Sequence, residues 1–156
     1  MVRAAHSVDL AQSPRDVFGY VCQLERYPEW ARRVVEVRVH TPGDVAPGTS
    51  FTIVNRVPGR TVDVDYQVTA LEPDRLLVFA GGPAAARAKF WFELEPQGSG
   101  CRFTERVDLQ FGGVWRLAGP LIGRLSQRQL ATNHAWLRRT LDGQPPPSRD
   151  GTWPFG

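Results

Sequence analysis

After Pro120, whose missing N–H suits a first helical turn, the chain runs without another proline through about twenty good helix formers to Leu141. Such a helix is roughly 30 Å long, enough to cross a small domain. Leu117, Leu121 and Leu125 recur at i+4 spacing, and Leu130, Leu137 and Leu141 continue the series. This predicts an apolar face, with Arg124, Arg128, Arg138 and Arg139 left to water. A face of that length needs a cover, and the rest of the chain reads as strands.

Val2 to Leu10 alternates, Ala4, His6, Val8 and Leu10 against Ala5, Ser7 and Asp9, which is the period of a half-buried strand. Ser13-Pro14-Arg15-Asp16 reads as an N-cap and first turn, followed by Val17, Phe18, Tyr20, Val21 and Leu24 as a buried face. A second short helix is predicted from Pro28, carrying Trp30 and yielding by Val35 to a strand. From there strands are predicted at Val34–Thr41, Thr49–Val57, Arg60–Leu71, Leu76–Ala80, Ala88–Glu95 and Cys101–Phe111. They are separated by Pro42-Gly43, Pro47-Gly48, Pro58-Gly59, Pro73-Asp74, Gly81-Gly82-Pro83 and Gly98-Ser99-Gly100. Breaks this short make neighbours pair antiparallel. One strand, two short helices, six strands and a long last helix give an α+β domain whose curved sheet wraps that helix.

With 156 residues, 42% of them apolar, the chain suits one domain, expected over 1–142, followed by a proline-rich tail over 143–156 with Trp153 and Phe155 as candidate anchors. No apolar run approaches the length of a membrane span, and the opening residues lack the apolar block of a signal peptide, so a cytoplasmic, non-membrane protein is expected. Cys22 and Cys101 form no framework and are expected as reduced, packed thiols. A net charge of +3 and a pI near 9.3 invite a nucleic-acid reading. The positive residues, nearly all arginine, alternate with acids and never cluster, so no nucleic-acid partner is expected. His6, His40 and His134 lack metal-site spacing, and there is no glycine-rich phosphate loop and no GxSxG elbow. Neither a metal nor another cofactor is expected.

The opening strand, Ser-Pro-Arg-Asp-Val-Phe-Gly-Tyr-Val, Leu-Glu-Arg-Tyr-Pro-Glu-Trp, Val68-Thr69-Ala70-Leu71-Glu72-Pro73, Phe92-Glu93-Leu94-Glu95-Pro96 before a glycine turn, and the closing helix together resemble the START/Bet v 1-like (SRPBCC) superfamily. The likeness is greatest to its polyketide cyclase/dehydrase and lipid-transport branch and covers about residues 3–142. The resemblance implies a helix-grip fold, a seven-stranded antiparallel sheet around the C-terminal helix with an apolar cavity between them. It implies a hydrophobic ligand there, a polyketide, lipid, sterol, quinone or hormone-like molecule, with some members catalysing and many only binding.

Strand alternation proposes which side chains face such a cavity. Phe51, Ile53 and Asn55 form one inward set; Val62, Val64, Tyr66 and Val68 another; Phe90, Phe92 and Leu94 a third; Cys101, Phe103, Glu105, Val107, Leu109 and Phe111 the last. The candidate catalytic residues are the polar members of this apolar company, Glu105, Tyr66 and Asn55. The candidate ligand contacts are Phe51, Ile53, Val64, Phe90, Phe92 and Phe103, with Leu121, Leu125, Gln129 and Asn133 on the helix, and Trp30 and His6. An inward carboxylate must be paired, protonated or open to a cavity. In a cavity, Glu105 can take a proton from the carbon beside a ketone or return one; at the sheet end it is a salt-bridge partner. Tyr66 can donate to a substrate carbonyl or be a core tyrosine, Asn55 can orient a ligand or bond a loop, and His6 can be a packed neutral imidazole. Trp91 falls on the outer face, as a dimer contact or a lone aromatic, and both monomer and homodimer remain open.

Two functions fit. The first is a polyketide cyclase/dehydratase-like enzyme that promotes ring closure and loss of water by positioning and acid–base catalysis. The second is a non-catalytic carrier or sensor of a lipid, quinone or polyketide. Aromatic polyketide cyclases commonly hold an arginine in the pocket, whereas Arg56 and Arg87 fall on the outer face here.

Overall fold

The computed structural model describes residues 1–144; the expected tail, with Trp153 and Phe155, lies almost wholly outside the described residues. The chain enters as strand β1 (Val2–Leu10), helix α1 (Pro14–Val21) and a 3₁₀ helix (Leu24–Glu29). Then come β2 (Val34–Val39), β3 (Ser50–Val57), β4 (Arg60–Glu72), β5 (Leu76–Gly81), β6 (Ala86–Gln97) and β7 (Gly100–Phe111). A second 3₁₀ helix (Gly113–Ala118) leads into α2 (Gly119–Leu141). One antiparallel sheet runs β1-β7-β6-β5-β4-β3-β2, so the first strand lies beside the last and β2 forms the far edge. The arrangement is a helix-grip fold, with α2 crossing over the sheet and packing most closely on β1.

Local chemistry accounts for the boundaries. The Ser13 hydroxyl accepts from the Asp16 N–H at 3.2 Å, and Pro14 opens α1. The β3–β4 hairpin turns on Pro58-Gly59 between paired Val57 and Arg60, with Gly59 at φ +77°, where a side chain would be strained. A bulge in β4 sets Val68 and Ala70 against successive residues of β5, so the inward parity changes and Leu71 can reach the core opposite Leu77.

Two expectations need correction. The second short helix starts at Leu24, ahead of Pro28, and is 3₁₀: Leu24 and Tyr27, three apart, stack on one face and are buried together, while Trp30 caps its end. The Leu117, Leu121 and Leu125 stripe is not the covered face of the long helix. Leu117 lies in the 3₁₀ segment and is 88% exposed, Leu121 is 60% exposed, and the buried residues of α2 are Leu130, Asn133, His134, Trp136 and Leu137. Leu121 and Leu130 are nine residues apart, about two and a half turns, so a straight helix cannot bury both.

The main core is aromatic. Trp30 meets Phe103 edge-on at 5.9 Å and Phe92 at 5.6 Å, and Phe92 continues to Phe79 at 5.3 Å. A smaller cluster, Ala4, Val107 and Leu130, packs where β1, β7 and α2 meet. Outside, Trp91 lies between two cations, with the Lys89 ammonium and the Arg106 guanidinium each 4.9 Å from its ring. Among the described residues no helix is long and apolar enough to cross a membrane.

Candidate functional site

Residues of both core clusters border a cavity of about 160 Å³ between the sheet and α2. Tyr27, Val34, Ile53 and Tyr66 come from the larger cluster, Val107 and Leu130 from the smaller, with Phe90 between them. Into this apolar wall are set Asn55, Tyr66, Glu105, Ser126, Gln129 and Asn133.

Glu105 is 1% exposed, on the inward face of β7 between Phe103 and Val107. Burying a carboxylate is costly unless its oxygens are bonded, and here α2 bonds it. His134 of α2 brings Nε2 to 3.0 Å from Glu105 Oε2, and the Tyr27 phenol of the first 3₁₀ helix lies beside the same carboxylate. Burial, first, and then the Glu105 charge push the Tyr27 phenol well above its ordinary range, so it stays a donor. His134 is itself fully buried, with Phe103 edge-on at 5.1 Å, and its Nδ1 lies 2.7 Å from Nδ1 of His6. His6 is directly opposite Glu105 in the β1–β7 register and partly exposed. Burial and then His134 lower its pKa, with Glu105 opposing. A continuous hydrogen-bonded line thus runs from the cavity wall through α2 to the edge strand.

The opposite wall is simpler. Tyr66 is 8% exposed, burial raises its phenol to about 12, and among the described residues its hydroxyl has no hydrogen-bond partner. Asn133 Oδ1 accepts the Arg32 backbone N–H at 3.0 Å, which ties the first 3₁₀ region to α2 and leaves the amide nitrogen as a donor. Asn55 makes only a long contact, 3.5 Å, to the Ile53 carbonyl. The cavity therefore presents a carboxylate with a chain of two imidazoles behind it, and neutral donors on other walls.

Of the residues expected here, Asn55, Tyr66, Glu105, Ile53, Phe90, Gln129 and Asn133 line the cavity. Phe51, Phe92, Phe103 and Trp30 are fully buried core instead. Val64 packs against that core, Leu125 is partly buried off the cavity, and Leu121 points to solvent because of its helical phase. His6 reaches the site only through His134. Arg56 and Arg87 are exposed. Sequence spacing missed His134 and Tyr27. His134 falls four residues after Leu130 and three before Leu137, so the helical period marks it as inward. Among the described residues no group of three or more His, Cys, Asp or Glu side chains has metal-site geometry. A larger open groove of about 860 Å³, between the ends of β1 and β7 and the start of α2, has no carboxylate or imidazole in its wall; it meets the cavity at Leu109.

The family described as polyketide cyclase / dehydrase and lipid transport matches residues 1–141. Among solved structures, a START superfamily protein from Mycobacterium smegmatis is 14% identical with a TM-score of 0.77, over 90% of this chain and 97% of that one. A protein from Thermus thermophilus, TTHA0849, is 16% identical with a TM-score of 0.76, over 92% of this chain and 99% of that one. The di-domain ARO/CYC StfQ from the steffimycin biosynthetic pathway is 14% identical with a TM-score of 0.75, over 91% of this chain and 51% of that protein. At these identities the likeness is one of fold. No curated protein matches the chain significantly.

Proposed function

The chain belongs to the polyketide cyclase / dehydrase and lipid transport family, and from that premise we propose that its cavity binds a hydrophobic small molecule and that Glu105 exchanges a proton with it, promoting ring closure and loss of water. The observation that carries this reading is Glu105 itself, a wholly buried carboxylate on the cavity wall. A group so costly to bury is well placed to act on an acidic C–H beside a ketone, because no water competes for it. Tyr66 and the Asn133 amide supply neutral donors for the oxygen on which negative charge develops. Holding a flexible ketone folded supplies the rest of the rate effect.

The size of the cavity limits what enters. Its 160 Å³ is close to the roughly 150 Å³ engineered cavity that accepts benzene, so it takes one ring, or the ring-sized end of a longer molecule. Non-catalytic carriage is the second reading; it draws on the His134 imidazole that already occupies Glu105. The two free thiols, Cys22 and Cys101, fit a cytoplasmic setting, which belongs to the same proposal.

The test is native mass spectrometry of the protein purified from its native source, with organic extraction of its cargo, repeated on Glu105→Gln. A ketone-bearing ligand that accumulates only in the variant supports turnover by Glu105. The same ligand in both proteins sinks catalysis and leaves carriage.

A further inference from the structure

The geometry points to a proton relay, Glu105–His134–His6, through which the cavity carboxylate exchanges protons with solvent at the edge strand rather than through the cavity. This rests on Glu105 being the acid–base group of the site, and it assigns His134 and His6 as residues that act through it. Two contacts define the relay. His134 Nε2 is 3.0 Å from Glu105 Oε2, and His134 Nδ1 is 2.7 Å from His6 Nδ1. A nitrogen–nitrogen contact of that length between neutral imidazoles needs one N–H and one lone pair. With Glu105 ionised, His134 donates from Nε2 and accepts at Nδ1, and His6 donates from Nδ1, which leaves His6 Nε2 with a lone pair.

A proton arriving from water at His6 Nε2 then has a balanced path. It forms the Nε2–H bond of His6; the His6 Nδ1–H proton passes to His134 Nδ1; the His134 Nε2–H proton passes to Glu105 Oε2. The product is a neutral carboxylic acid with both imidazoles still neutral, each in its other tautomer. The reverse passage returns a proton from Glu105 to water. Both imidazoles are neutral before and after the transfer, so the relay leaves no cation beside the fully buried His134 and none at His6, where burial disfavours it. His6 can meet water because it is partly exposed on the edge strand. The other titratable groups facing this line are Tyr27, which lies beside Glu105, and Tyr66 across the cavity. Burial keeps both protonated, so they stand outside the relay.

The signature is a tautomer exchange that a structural role would not produce. Imidazole ¹⁵N NMR of the ligand-free protein, followed across pH, reports which nitrogen of each ring carries hydrogen; infrared spectroscopy of ¹³C-carboxyl glutamate-labelled protein reports the Glu105 acid band, assigned by its loss in Glu105→Gln. The expected result is that His6 and His134 interchange tautomers at one midpoint, together with the Glu105 band, and that the His134 exchange is lost in His6→Phe. Rings that keep their tautomers while Glu105 titrates, or a ring that becomes doubly protonated while Glu105 stays ionised, would overturn the relay. So would a Glu105 band that never appears, or an exchange that survives in His6→Phe. His6→Asn repeats the test should the phenylalanine disturb β1. An intact relay with no Glu105-dependent ligand accumulation would reject the catalytic reading alone.

Discussion

His134 Nε2 stands 3.0 Å from Glu105 Oε2 with each side chain 1% exposed, one on the last strand and the other on the last helix. Removing one member of such a pair strands the other in an apolar interior. His134→Leu is therefore expected to destabilise by about 3–5 kcal/mol. Glu105→Gln keeps a carbonyl oxygen to accept from Nε2 and is expected to cost clearly less. Urea unfolding of both variants measures the difference, and equal costs would mean that this hydrogen bond is not what holds the pair.

His6 predicts an acid limb in stability. Burial, then His134, holds its folded pKa below the usual 6.5, with Glu105 opposing. The unfolded chain therefore takes up the proton first as pH falls. Stability tied to neutral His6 is fully present above pH 6.5 and is lost as pH drops through the folded value. His6→Asn should flatten the fall in Tm that begins near pH 6.5, while the lower limb from Glu29 remains. Burial raises that carboxyl, but its bonds to Tyr20 and Arg26 outweigh burial and hold it below 4.5. Thermal melts across this range check the point, and an unchanged slope in the variant would refute it.

How much of this was legible in the sequence depends on the period involved. In β6, β7 and the part of β4 up to Val68 the two-residue alternation holds, so the faces occupied by Tyr66, Phe92 and Glu105 could be read from the chain alone. The 3.6-residue period of α2 was harder, because leucines occur on two faces and the 3₁₀ segment before Gly119 breaks the phase. Leu117 and Leu121 therefore looked like core. The helical period marked His134 as inward, but not its role, which comes from its contact with Glu105 across 29 residues of sequence. Tyr27 lay ahead of Pro28, where the sequence set the start of the short helix, and the 3₁₀ segment instead begins at Leu24. Which inward aromatics line the cavity and which fill the core, as Phe90 does against Phe92 and Phe103, is set by the offset of α2 over the sheet, and no strand pattern encodes that.

That phase difference can be tested directly. Leu137 is fully buried in the main core, so Leu137→Ala should cost about 2–5 kcal/mol. Leu117→Ala and Leu121→Ala, at 88% and 60% exposed, should each stay within about 0.5 kcal/mol. Comparable losses from Leu121→Ala and Leu137→Ala in guanidinium unfolding would place the helix in the other phase.

Tyr66 separates stability from binding. Its hydroxyl opens on the cavity without a hydrogen-bond partner among the described residues, while its ring stacks on Phe51 and meets Phe79 and Phe90 edge-on. Tyr66→Phe keeps every ring contact and deletes a hydroxyl that bonds no protein group, so Tm should hold. A ligand oxygen that takes this hydroxyl as donor would lose one hydrogen bond, a loss of about 0.5–1.5 kcal/mol or roughly 2- to 13-fold in affinity. The single-ring probe 4-fluorophenol suits the 160 Å³ cavity, and its binding can be followed by ¹⁹F NMR. Weaker probe binding at unchanged Tm would show Tyr66 to be a ligand contact. Unchanged binding at lower Tm would show instead that the hydroxyl serves the fold.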